Sequence, residues 1–170
     1  METKQCCSCG ETKEVIDFCF DKKDNRYQSS CKSCNNNRTK AWQKQLFEST
    51  NPTDILEATF YKMCTGSRSN AKTKGIQFTL RLDDLRSMYQ TQQGKCFYTG
   101  VPMTLRSNGH LDRDPLLISL DRRDSSLGYT KENTVLCCWG ANALKGWHSE
   151  NTFYTTLKLF YENAHSLGKL

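Results

Sequence analysis

The sequence predicts an α+β protein in which a small cysteine knuckle precedes several helices and then a strand–strand–helix unit. Three observations carry this. Two C-x-x-C turns, Cys6-Cys7-Ser8-Cys9 and Cys31-Lys32-Ser33-Cys34, fall in the first 36 residues. Apolar residues recur at helical spacing in the middle and at the end of the chain. Two short apolar runs flank a Gly128-Tyr129 turn and lead into a further helical stretch.

Taken in order, Asp17-Phe18-Cys19-Phe20 reads as a short strand between the two C-x-x-C turns. A helix over 32–47 carries Lys32, Arg38, Lys40 and Lys44, and Ser49-Thr50-Asn51-Pro52 breaks it. Leu56, Phe60, Met63 and Cys64 form the stripe of a second helix over 54–64, followed by a polar stretch over 65–74. Phe78-Thr79-Leu80 reads as a strand or strand end. A third helix starts near Asp83 with Leu82, Leu85, Met88 and Tyr89 on one face, and Gly94 stops it. The segment 96–102 resembles a hairpin approach. Strands are predicted over 116–121 and 134–138, and a helix over 140–145. Ser149 caps a last helix whose stripe is Phe153, Leu157, Phe160 and Tyr161. The expected division is 1–50, knuckle and basic helix, and 51–170, the remaining core.

Leu, Ile, Val and Phe number 32 of 170 residues, or 19%, which is thin for a hydrophobic core. The ten cysteines are the obvious supplement. No apolar leader precedes Cys6 and no apolar run approaches eighteen residues. A secreted or membrane protein is therefore not expected, and the thiols are read as ligands in a reducing, intracellular compartment. With 24 basic and 18 acidic residues the net charge is +6, which favours an anionic partner.

Four thiolates from two C-x-x-C turns suit tetrahedral zinc, because each turn brings two sulfurs to one ion. The predicted ligands are Cys6, Cys9, Cys31 and Cys34. Cys7 is disfavoured because C-x-C closes a tighter ring. Cys96, Cys137 and Cys138 lack partners for a second site, since Thr99 and Ala141 stand where cysteines would be needed, so they are read as buried apolar groups. Cys19 and Cys64 are read the same way.

The chemistry-bearing stretch is Leu120-Asp121-Arg122-Arg123-Asp124-Ser125-Ser126-Leu127-Gly128-Tyr129-Thr130-Lys131-Glu132-Asn133, then Asn142-Ala143-Leu144-Lys145. Asp121 ends one strand and Asn142 begins a helix about one hairpin later, so the two side chains converge on one hard cation. One carboxylate and one amide oxygen leave open positions, as Mg²⁺ prefers when phosphate and water complete its shell. Arg122 is placed to grip a phosphate.

This stretch resembles the ββα-metal motif of HNH endonucleases, in the form D-R-x-D-S-x-x-G-Y-x-x-x-N followed by N-x-x-K. With the four-cysteine knuckle, it resembles the PacI-type restriction branch and, more distantly, the phage enzymes of the recombination endonuclease VII type. The resemblance spans the knuckle and roughly residues 68 to 153. It implies a ββα-metal core wrapped by helices, Asp121 and Asn142 as metal ligands, and Asn133 as a brace of the inter-strand loop. It implies metal-dependent hydrolysis of duplex DNA to 5′-phosphate and 3′-hydroxyl ends, with structural Zn²⁺ and catalytic Mg²⁺, and it is compatible with a homodimer. Most HNH enzymes have a histidine where this chain has Arg122, and arginine stays protonated. The resemblance offers Tyr89 as general base, His110 is the alternative in the sequence, and a metal-bound hydroxide needing no protein base is the third reading.

Two carboxylate-free basic runs supply phosphate contacts, which give salt-sensitive and sequence-independent affinity. They hold Arg38, Lys40 and Lys44 in the first, and Arg68, Lys72 and Lys74 in the second. Asn35, Asn36, Asn37 and Arg38 are candidates for reading base edges. The rival readings are a zinc-dependent DNA-binding protein without activity, favoured by Arg122, and an enzyme acting on branched DNA.

Overall fold

Residues 2–105 and 114–169 are described in a computed structural model, which divides into two units, Met1–Ser49 and Thr50–Leu170. The architecture is α+β, with small antiparallel sheets, helices and a four-cysteine knuckle. Among the described residues, no helix is long and apolar enough to cross a membrane.

The first unit is built on its turns. Strands β1 (Thr3–Gln5) and β2 (Thr12–Glu14) pair antiparallel, and the chain between them folds back through Gly10, whose φ of 73° suits glycine. Strands β3 (Phe18–Asp21) and β4 (Arg26–Cys31) form a second hairpin, its turn held by the Lys23 N–H on Asp21 Oδ1 at 2.9 Å. Helix α1 (Lys32–Glu48) starts at once, with the Cys31 sulfur accepting from the Cys34 N–H as its cap. The buried centre of these two hairpins is Cys6, Phe18 and Cys31 with Tyr27 and Cys34 beside them, so thiols take the place of aliphatic side chains.

In the second unit α2 runs from Pro52 to Thr73, its first turn capped by Asn51 Oδ1 on the Thr53 N–H at 2.8 Å. This helix extends nine residues beyond its predicted end. The polar stretch 65–73 stays helical through Gly66, with no proline in it, and its small residue Ala71 is buried. Helix α3 (Leu82–Thr91) opens with Asp84 accepting from the Arg81 N–H. Phe78 makes a single bridge to Tyr129 rather than a strand, and 95–102 is a turn closed by one bridge, Lys95 to Pro102.

Strands β5 (Ile118–Arg122) and β6 (Thr134–Cys138) pair antiparallel, with Leu120 opposite Leu136 and Asp121 opposite Val135. Every residue of β6 is buried. Helix α4 (Trp139–Lys145) follows β6 directly, and α5 (Glu150–Ser166) is capped by Ser149 Oγ on the Thr152 N–H at 3.2 Å. Phe60, Leu80, Leu85, Tyr98, Ile118, Leu136, Cys137 and Phe153 belong to one core. Along the apolar stripe of α5 Phe153 is buried, but Phe160 and Tyr161 are 56% and 60% exposed. Only the first turn of α5 reaches the core. Amphipathic spacing shows which residues share a face, not what covers it.

Candidate active site and cysteine cluster

In the first unit the sulfurs of Cys6, Cys9, Cys31 and Cys34 all lie within 4.8 Å of one another. A tetrahedral ion with bonds of about 2.3 Å would space its sulfurs roughly 3.8 Å apart. Cys6 and Cys34 stand at 3.9 Å. The Cys31 N–H donates to Cys6 Sγ at 3.2 Å, and this bond chiefly pushes the Cys6 thiol down to about 6. Cys34 moves the other way, up to about 12, because the neighbouring thiols, Cys31 first, oppose its ionisation. Four sulfurs this close cannot all ionise without a cation among them. The four cysteines are arranged to hold a metal ion. Cys7 is turned away, with its sulfur 3.3 Å from Ser30 Oγ.

In the second unit Asp121 stands near the end of β5 and is 6% exposed. Its Oδ2 accepts from the Tyr98 hydroxyl at 2.5 Å and from Lys145 Nζ at 3.0 Å. Burial, then Asp121 itself, pushes the Tyr98 phenol far above its ordinary range, so it keeps its proton and acts as a donor. Asn142, on α4, gives its amide N–H₂ to Ser119 Oγ at 2.9 Å and to the Leu120 carbonyl at 3.1 Å. That anchors the amide beside the residue preceding Asp121. Among the described residues, Asp121 Oδ1 and Asn142 Oδ1 accept no hydrogen bond, yet neither is a sealed orphan, since Thr134 Oγ1 is the only such atom. Two unengaged oxygens of the hard, oxygen-only kind fit a small divalent cation.

Asn133 fixes the loop between β5 and β6. It is 8% exposed, donates to the carbonyls of Asp124 and Gly128 at 3.0 and 2.9 Å, and accepts from the Asp124 N–H at 2.9 Å. Gly128 lies so close under residue 77 that a Cβ there would stand 2.6 Å from the Gln77 carbonyl oxygen. Arg122 folds back on this loop, bonding the Leu127 carbonyl at 2.9 Å with its guanidinium 5.2 Å from the Tyr129 ring centroid.

No known family model matches this chain, and no curated protein matches it. Among solved structures, the rare-cutting HNH restriction endonuclease PacI is similar to it. The two are 18% identical with a TM-score of 0.42, over 97% of this chain and 98% of that one.

The other predicted residues are placed as follows. Tyr89 packs edge-on against Phe60, with ring centroids 5.6 Å apart, and a Cβ on Gly94 would lie 3.0 Å from its hydroxyl. No hydrogen bond among the described residues joins that hydroxyl to Asp121; the phenol that meets the carboxylate is Tyr98. His110 lies outside the described residues. Arg38 bonds Asn35 Oδ1, and the Asn35 amide is spent on Gln28 and the Ser30 carbonyl, so Asn35 is a brace of its turn. Lys40 is exposed, and Lys44 stands 3.9 Å from Glu48. Arg68 holds the Leu80 carbonyl and lies over the Phe78 ring, while Lys72 and Lys74 are exposed. Cys138 donates its N–H to Cys96 Sγ at 3.3 Å, and burial pushes the Cys138 thiol up to about 12. Thr99 and Ala141 line an apolar groove of about 280 Å³ beside them.

Tyr98 and Lys145 are the site residues that sequence reasoning missed. Lys145 closes the N-x-x-K element and stands three positions after Asn142, which puts both on one face of α4. That spacing was the available signal. Tyr98 lies in a turn 23 positions before Asp121, and only the fold brings them together.

Proposed function

We propose that this protein is a metal-dependent HNH-type endonuclease that hydrolyses phosphodiester bonds of duplex DNA. The observation that carries the reading is the pairing, on one strand–strand–helix unit, of the buried Asp121 carboxylate with the anchored Asn142 amide. Among the described residues each has an unengaged oxygen, and Asn133 braces the loop beside them. Asp121 and Asn142 would hold Mg²⁺, which when bound would polarise the scissile phosphate and stabilise the departing 3′-oxygen. Tyr98 and Lys145 hold the Asp121 carboxylate in place. In this reading residues 1–50 carry a structural Zn²⁺ on Cys6, Cys9, Cys31 and Cys34, and residues 51–170 carry the nuclease. Exposed Lys40, Lys72 and Lys74 supply phosphate contacts, and the products are a 5′-phosphate and a 3′-hydroxyl.

The test is incubation of supercoiled plasmid with zinc-loaded protein and Mg²⁺. Conversion to nicked or linear circles that stops on chelation supports the reading, and labelling of the new ends identifies the products. A second reading, a zinc-dependent DNA-binding protein without activity, is favoured by Arg122, whose guanidinium is already engaged by Leu127 and Tyr129. It retards the plasmid in a gel without cutting it.

A further inference from the structure

Among the described residues Lys145 is the only buried lysine or arginine, with no exposed surface. Burying an ammonium is costly unless it is paired and hydrogen-bonded. Here the Asp121 carboxylate at 3.0 Å and the Arg122 carbonyl at 3.0 Å repay it, and the Tyr98 ring lies 5.8 Å below. The Tyr98 hydroxyl bonds the same oxygen that Lys145 bonds, Oδ2. Asp121 is therefore matched charge for charge by a fixed lysine, and among the described residues only its Oδ1 is left unengaged.

A divalent ion approaching Oδ1 meets a carboxylate whose charge is already balanced, and it meets the ammonium across the width of that carboxylate. Repulsion of this kind is strong at a poorly solvated site and falls when a further negative charge joins the group. We propose that Lys145 is an internal counter-cation, which keeps divalent metal weakly bound at Asp121 until a DNA phosphate supplies the missing negative charge. Metal and DNA then load together rather than in sequence. This rests on the nuclease reading given above, since it takes Asp121 and Asn142 as the metal ligands.

The experiment is a Mn²⁺ titration of the zinc-loaded full chain, followed by electron paramagnetic resonance, with and without a mixed-sequence duplex. The site is scored as the binding lost in Asp121→Asn. The variants are Lys145→Met and Lys145→Gln, the second keeping a donor for the Arg122 carbonyl should the first fail to fold. Without duplex, the neutral variants are expected to bind Mn²⁺ at least about tenfold tighter than wild type. The duplex should tighten wild type more than it tightens them. A lysine that served only to hold β5 and α4 together would give the opposite result, weaker Mn²⁺ binding on its removal. An Asp121-dependent site whose affinity is unchanged or weakened in both variants overturns the proposal and leaves the nuclease reading standing. If no protein shows Asp121-dependent Mn²⁺ binding, with or without duplex, the nuclease reading fails and this proposal with it.

Discussion

Asn133→Ala isolates the brace of the β5–β6 loop from the chemistry it supports. The wild-type side chain makes three hydrogen bonds, to the carbonyls of Asp124 and Gly128 and from the Asp124 N–H, at 2.9 to 3.0 Å. At about 1 kcal/mol net for each bond, the loss is about 3 kcal/mol. For a unit of this size that lowers the melting temperature by roughly 9 to 18 °C. Asn133→Asp is the sharper companion. It keeps one acceptor but sets a carboxylate oxygen against two carbonyls, so it should destabilise at least as much as alanine despite its equal size. The assay is denaturant unfolding of the zinc-loaded protein, with the plasmid-nicking rate read in parallel. A change below about 0.5 kcal/mol in both variants would refute the bracing role, as would a benign Asn133→Asp.

The cysteine cluster should yield about one zinc per chain by elemental analysis, and Cys31→Ser should lose the metal and unfold the first unit. Tyr98→Phe removes only the hydroxyl on Asp121 and should slow nicking at least about tenfold while the fold is kept, measured beside a melting curve. Tyr89→Phe should leave nicking within about twofold of wild type, because its hydroxyl faces Gly94; a large loss would restore Tyr89 as general base. Lys72→Ala with Lys74→Ala should lower the salt dependence of duplex binding by up to about 1.8 in log–log slope, and an unchanged slope would remove them from the DNA contacts.

Local chemistry makes much of this fold legible in the amino-acid sequence. Strand β6 falls on residues 134–138 as its apolar run requires, and α1 begins at Lys32 where the Cys31 sulfur accepts from the Cys34 N–H as its cap. The end of α2 is not legible there, because the polar residues 65–73 carry helix in their backbone without an apolar stripe to announce it. The α5 stripe misleads for the opposite reason: spacing gives it a face, yet beyond Phe153 much of that face meets solvent. At the site, Asp121, Asn133 and Asn142 are legible because one short motif contains them. Tyr98 is not, since its partner is distant in sequence and a buried phenol looks like ordinary core until the carboxylate stands beside it. Lys145 is visible in the motif, but its burial against Asp121 is not.

On the nuclease reading Asp121 serves cutting rather than binding. Wild type and Asp121→Ala should be compared on the same duplex plasmid in Mg²⁺, for retardation and for strand scission. Asp121→Ala should bind DNA as well as wild type or better, one negative charge being removed, and should no longer cut. Scission by Asp121→Ala at the wild-type rate would contradict a catalytic role for this carboxylate.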